Sequence, residues 1–253
     1  MGNNTAANVL STIGTVLWCI QLTPQIYFLW RRKDATGFPP VFMFLWVISG
    51  IPFGIYFITS DSYIPFQLQP QMFSVLCSIA WLQSMYYPPN NVPLKRVIFY
   101  GILYLSISLA MQLGFGIPLK HLYSNGVRWP TTVFGIIAAV FLALGLLPPY
   151  WELLHRNGRV VGINFLFLAM DSAGAIFSMA GTLVGTFDLL GMIQFAVVLA
   201  LEIGLYTSQA IWYIRFRVIR KEDPDEHEKD VQEISDSASA ENRPEHTLEH
   251  SQA

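Results

Sequence analysis

Two acids stand where acids are costly. Asp171 and Glu202 each lie near the middle of a long apolar stretch that holds no Lys or Arg. An ionised carboxylate at the centre of a membrane costs about 3 kcal/mol or more unless it is paired or hydrated. The chemistry open to such a group is to take a proton when its surroundings close and to release it when they open. Tyr206 and Gln209 follow Glu202 by four and seven residues, so a helix would put all three on one face as a polar stripe. Asp171 is followed by Ser172 and lies near Gly174, which makes a second polar and close-packed patch. Glu152 and His155 sit at the end of a stretch, a place that suits an interfacial role.

Prolines and amides form the next set. Pro24 and the pair Pro148-Pro149 lie within apolar stretches. Each removes a backbone donor and crowds the preceding turn, so each helix should bend there. Prolines are frequent in membrane helices generally, but these recur at matched places, which favours two hinges of like design. Trp46, Gln83, Gln194, Tyr206 and Gln209 are candidates for contact with a small polar solute. Gln21, Gln25, Trp18 and Trp81 belong to the same pool, whose members also suit helix packing or interfacial anchoring.

The elements that would position these residues follow from composition. Of the 253 residues, 53% are hydrophobic and 13% charged. The charges avoid seven stretches, about 7–30, 39–58, 67–87, 97–117, 131–154, 163–183 and 189–213. Each is close to the roughly 20 residues that cross a bilayer as a helix. The third is the least apolar, because Gln67, Gln69, Pro70 and Gln71 crowd its start. No charged stripe at the helical period marks these stretches as the surface helices of a soluble bundle. Cys19 and Cys77 both fall inside stretches and read as small buried hydrophobes.

Lys and Arg are divided unevenly by side. Eleven lie in the first, third and fifth loops and at the start of the tail, against only Lys120 and Arg128 opposite. That bias puts the N-terminus in the lumen or exterior and the C-terminus in the cytosol. Residues 222–253 are rich in Glu, Asp, Ser and His and read as a disordered, acidic cytosolic tail.

The chain also repeats itself. LTPQIYFLWRR from Leu22 returns as LLPPYWELLHR from Leu146, so that Leu22, Pro24, Leu29 and Arg32 match Leu146, Pro148, Leu153 and Arg156. After a slip of one residue, Gly37 and Phe42 match Gly162 and Phe167, and Asp171 falls opposite Trp46. Repetition at this scale means two copies of one module. With an odd helix between them the copies run parallel, and a site is expected between them near the midplane.

LTPQIYFLWRRKDATGF resembles the signature of the PQ-loop repeat family, which includes cystinosin, the vacuolar and lysosomal cationic amino acid exporters and, more distantly, the SWEET sugar transporters and the KDEL receptor. The resemblance covers about residues 10–215. It implies a transporter of small metabolites, often at vacuolar or lysosomal membranes, with Pro24 and Gln25 as a hinge for alternating access. LEIGLYTSQAIWY is similar to the last helix of the cystinosin-like branch, which implies that Glu202 is the proton-coupling acid. The second copy departs from the pattern, with Pro148-Pro149 in place of Pro-Gln, and Ser49-Gly50 stand where the cationic amino acid exporters tend to carry Gly-Asp. These departures weaken the claim for cationic substrates that the resemblance carries and leave the substrate open.

The expected fold is therefore an all-α integral membrane protein of seven transmembrane helices, two parallel three-helix repeats joined by a linker helix. Residues 1–90 and 126–221 form the repeats, 91–125 the linker and 222–253 the tail. The expected function is transport of a small polar metabolite, an amino acid ahead of a sugar, by proton-coupled or facilitative alternating access at a vacuolar, lysosomal or other endomembrane. Its partners are the solute, protons and the lipid bilayer, and self-association into a homo-oligomer stays open. A pH-dependent cargo receptor and a lipid-handling protein of the same fold are the alternatives. No metal-ligand spacing, nucleophile elbow or phosphate-cradling loop points to an enzyme, a metal or a cofactor. Basic residues split among loops do not form a nucleic-acid surface.

Overall fold

The computed structural model describes residues 4–60, 64–156, 158–185 and 189–220. The expected acidic tail lies outside them. In chain order the helices are α1 (Asn4–Ile20), α2 (Leu22–Arg32), α3 (Pro40–Thr59), α4 (Ile64–Tyr86), α5 (Leu94–Ser124), α6 (Trp129–Gly145), α7 (Leu147–His155), α8 (Phe165–Val184) and α9 (Leu189–Tyr213), followed by a π-helical turn at Ile214–Arg220. Among the described residues there is no strand.

Among the described residues six segments are long and apolar enough to cross a membrane: Thr5–Arg32, Pro40–Thr59, Leu94–Ser124, Trp129–His155, Phe165–Val184 and Gly191–Ile219. The protein is thus an all-helical, multi-pass membrane protein. The stretch that falls short is α4, whose first turns carry the glutamines noted above. Its length of 23 residues is still that of a span.

Two of the spans are each built from two helices, and proline explains both breaks. Pro24 has no N–H to give to the carbonyl of Ile20, four residues earlier, and α1 ends at Ile20. Pro148 and Pro149 likewise leave the carbonyls of Leu144 and Gly145 without their helical partners, and α6 ends at Gly145. The chain recovers at once, with Leu146 N–H turning back to the Ala143 carbonyl at 3.1 Å.

Packing follows the repeat. Buried, half-buried and exposed positions alternate in the same order along 21–30 and along 145–154, position for position. Between the copies, α1 lies along α8 and α3 along α6, so the first span meets the sixth as the second meets the fifth. Small residues allow the first of these approaches: Gly14 abuts Ser178, and Gly181 abuts Ser11. α4 packs closely on α1, α2 and α3. Its counterpart α9 touches the rest of its bundle through side chains, for instance Tyr150 Oη donating to the Leu201 carbonyl and Ser208 Oγ to the Gly158 carbonyl at 2.8 Å. α5 packs on α3, α4 and α6 and leaves a broad apolar face outward, including Phe99, Ile102, Leu109 and Ile117. Gln112 on α5 and Gln71 on α4 exchange amide hydrogen bonds, the shorter 2.7 Å.

Met1–Ser208 forms one compact unit and Gln209–Ala253 a second. In the described part of the second, the rings of Trp212 and Phe216 lie 5.7 Å apart.

Candidate functional site

A cavity of about 480 Å³, counted to its open mouth, lies among α1, α3, α4, α6, α8 and α9. These are helices of both copies, and α5 contributes nothing to the lining. Among the described residues, the side chains of Gln21, Gln69, Asp171 and Gln194 bring amide and carboxyl groups to the cavity. The rings of Trp18, Trp46, Phe53, Phe73 and Phe195 supply most of the remaining wall. Two of their contacts are close, with centroids 5.3 Å apart for Trp18 and Phe195 and 5.4 Å apart for Trp46 and Phe73.

Each tryptophan is seated by a glycine on the helix opposite. A β-carbon on Gly174 would stand 2.5 Å from Trp18 Nε1, and one on Gly145 would stand 2.5 Å from Trp46 Nε1. With that clearance the indoles reach across to backbone, Trp18 Nε1 donating to the Asp171 carbonyl at 3.2 Å and Trp46 Nε1 to the Leu142 carbonyl at 3.1 Å. The two bonds join symmetry-related positions, because Trp18 corresponds to Leu142 and Trp46 to Asp171 in the repeat.

Asp171 is 4% exposed, and its Oδ2 has no hydrogen-bond partner. Trp18 and Gln21 are polar neighbours of its carboxyl, and Gln21 Oε1 is likewise buried without a partner. Behind Asp171 lies Glu202, fully buried, which accepts a 2.6 Å hydrogen bond from Ser172 Oγ on Oε2 while Oε1 has no partner. The two carboxyl groups are direct neighbours. Cys77 on α4, Tyr150 on α7 and Tyr206 on α9 are the other titratable groups close to them.

A second arrangement joins the loops of the two copies. Gln25 is fully buried; its Nε2 donates to the Gly162 carbonyl at 2.9 Å, and its Oε1 accepts from the Asn164 N–H at 2.6 Å. Asn164 in turn caps α8, its Oδ1 accepting from the Leu166 N–H at 2.8 Å. The residue matching Gln25 in the second copy is Pro149, which has no amide. Pro149 and Gly37 border one narrow cleft, with Leu153, Val160 and Ile163 in its wall.

Of the residues singled out in the sequence, Trp18, Gln21, Trp46, Asp171 and Gln194 line the cavity, and Glu202 stands behind it. Pro24 and Pro148-Pro149 lie just past the helix breaks. Gln83, Tyr206 and Gln209 do not line the cavity. The Oε1 of Gln83 is buried without a partner, Tyr206 packs against Phe165 with centroids 6.0 Å apart, and Gln209 belongs to the second unit. Glu152 forms an ion pair with Arg156 at 2.6 Å. Gln69, Phe53, Phe73 and Phe195 are cavity residues that the sequence did not single out. Ser172 was noted only as polar, and its bond to Glu202 spans two helices.

A multi-pass helical protein with a cavity walled by two sequence-related modules belongs to the class built by internal duplication. Residues 6–66 and 131–191 match the PQ loop repeat, and the chain is a member of the PQ-loop repeat family. An uncharacterized membrane protein of Saccharomyces cerevisiae is 45% identical over 245 residues, covering 92% of this chain and 78% of the relative. An uncharacterized protein of Schizosaccharomyces pombe is 29% identical over 242 residues, covering 92% of this chain and 85% of the relative.

Proposed function

We propose that the protein is a proton-coupled transporter of a small polar solute, working by alternating access between two parallel three-helix modules joined by α5. The observation that carries the reading is the cavity walled by both modules, with the Asp171 carboxyl in its wall and Glu202 directly behind. Each carboxyl holds one buried oxygen without a donor. One proton held between the two groups satisfies both oxygens, and leaving such acceptors unpaired in a dry interior costs about 1–3 kcal/mol each. Opening the cavity to water removes that need and frees the proton. A proton drives the cycle only by binding the two states with different affinity, and a carboxyl pair that is dry in one state and wet in the other does so.

The breaks at Pro24 and Pro148-Pro149 give each module a bend at which to swing. The charge count puts the N-terminus in the lumen and the C-terminus in the cytosol. With an acidic compartment on the lumenal side, as at a vacuole or lysosome, protons enter the pair from the lumen and leave to the cytosol.

The test is flux into proteoliposomes of a panel of amines, amino acids and sugars, with and without an imposed pH gradient, for the wild type and Glu202→Gln. Gradient-stimulated flux in the wild type that is lost in a folded Glu202→Gln protein supports the reading. Equal proton-driven flux in the variant removes the coupling role of Glu202. No flux of any solute from an oriented, folded preparation removes transport itself.

A further inference from the structure

We infer that the cavity takes a small organic ammonium ion that carries no carboxylate group. The inference deepens the transporter reading by naming a solute class for the same cavity. Three features of the wall carry it.

The first is the sign of its charge. Among the described lining residues Asp171 is the one carboxylic acid, and none of them is Lys, Arg or His. An amino acid brings an α-carboxylate that would enter beside Asp171 with no cation to receive it, and such an uncompensated like charge acts against the wrong ligand. A sugar brings no charge for the carboxylate to meet.

The second is the pair of unsatisfied acceptors. Asp171 Oδ2 and Gln21 Oε1 are buried, belong to residues 4% and 2% exposed, and have no donor. Both belong to lining residues. A protonated amine supplies N–H donors and a positive charge together, and hydrogen bonds to a charged group are about twice as strong as neutral ones.

The third is the aromatic wall. Five rings border the cavity. The alkyl groups of an ammonium ion carry part of its charge and are attracted to ring faces within about 6 Å, an attraction that strengthens when the site is dry. Aromatic rings around one carboxylate suit a cation with an apolar skin, and suit a strongly hydrated sugar poorly.

The ammonium ion and the proton then compete for one carboxyl pair. With one proton the pair carries a single negative charge, against two without it, so the proton weakens the pull on the ion and the bound ion weakens the hold on the proton. Exchange of one cation for another follows, with Cys77, Tyr150 and Tyr206 the other titratable groups that face the pair.

The experiment measures binding to the purified protein in detergent at pH 7 by calorimetry, with the change in total tryptophan fluorescence, to which Trp18 and Trp46 contribute, as a second readout. The probes are three molecules of nearly equal size: 2-dimethylaminoethanol, its neutral carbon isostere 3-methylbutan-1-ol, and the zwitterion N,N-dimethylglycine. The amine is expected to bind at least about tenfold more tightly than either other probe, and Asp171→Asn to weaken it by about tenfold or more. Zwitterion or alcohol binding as tight as that of the amine, or no amine binding at all, overturns the inference. The wild-type comparison decides the matter even if Asp171→Asn does not fold. Amine binding without flux in proteoliposomes would leave the cation site and remove the transporter, whereas proton-driven flux of a zwitterion would leave the transporter and remove the cation site.

Discussion

The backbones of Gly37 and Gly162 touch. A β-carbon on Gly162 would stand 2.5 Å from the Gly37 carbonyl carbon, and one on Gly37 would stand 2.6 Å from the Val161 carbonyl oxygen. Both residues sit at positive φ, +78° and +80°, which glycine alone adopts without strain. They occupy matching places in the two copies, as do Phe42 and Phe167, whose rings meet at 6.5 Å. The pseudo-twofold axis of the membrane unit therefore passes between these pairs. Gly162→Ala adds backbone strain and an overlap with main chain that no side-chain rotation relieves. A loss of about 3 kcal/mol or more is expected, seen as poor recovery of folded protein or a strongly lowered Tm. Gly114→Ala is the control, because a β-carbon there meets nothing within 4 Å in the middle of α5. A Gly162→Ala protein as stable as Gly114→Ala would show that the loops do not touch at the axis.

Gln25 ties the loops on one side of that axis only. Gln25→Leu leaves the Gly162 carbonyl and the Asn164 N–H without partners, at a cost of about 2 kcal/mol, or about 4–8 °C in Tm. The cleft shared by Pro149 and Gly37 lies where a symmetric amide would bond, since these residues match Gln25 and Gly162. Pro149→Gln supplies an amide there, so the double variant is expected to recover part of the loss caused by Gln25→Leu. A double variant no more stable than Gln25→Leu alone would mean that the cleft does not accept the amide.

Asp34 lies in the loop after α2, outside the spans. Burial alone would raise its pKa, but the Thr36 hydroxyl and N–H, donating at 2.7 and 2.9 Å, and the Arg32 guanidinium at 2.8 Å outweigh it and hold the carboxyl below its ordinary value. A folded-state pKa below the unfolded one contributes stability that is present above the unfolded pKa and lost as pH falls through the folded one. With 30% of its side chain exposed, the group is partly screened, and about 0.5 kcal/mol is expected. Asp34→Asn should melt about 1–2 °C below the wild type at pH 7, with the gap closing as pH drops below about 4. A gap that does not change with pH would place the effect in the turn geometry and not in the charge.

Much of the architecture is legible in the sequence because it is written twice. Hydropathy marks the spans, and the matched Leu, Pro and Arg positions mark the copies, whose burial patterns agree from 21–30 to 145–154. The third span is hard to read because its glutamines serve contacts inside the bundle, Gln71 with Gln112 and Gln69 in the cavity wall, and so lower its hydropathy without exposing it to water. The cavity is less legible. Phe53, Phe73 and Phe195 have the same hydropathy as the lipid-facing Phe99, and only packing separates them. Asp171 and Glu202 each stand out by cost, but nothing in a spacing of 31 residues on two helices says that their carboxyls meet. Glu202 and Tyr206 both lie beside Asp171, yet neither lines the cavity, a distinction that helix periodicity does not make.

The glycines behind the two tryptophans give a way to change the cavity from outside it. Trp46 lies against Gly145 and Trp18 against Gly174, and neither glycine has room for a β-carbon. Alanine improves helix propensity by up to about 1 kcal/mol at each place, which offsets part of the packing cost. The displaced indole, however, can move only toward the open space on its other side. Gly145→Ala is therefore expected to break the bond from Trp46 Nε1 to the Leu142 carbonyl and push the ring into the cavity. Gly174→Ala should do the same through Trp18 and the Asp171 carbonyl. Each variant should reduce solute binding by about tenfold while lowering Tm by only a few degrees, and both should shift tryptophan emission. Normal binding in both variants, with the emission unchanged, would mean that the rings do not form the cavity wall.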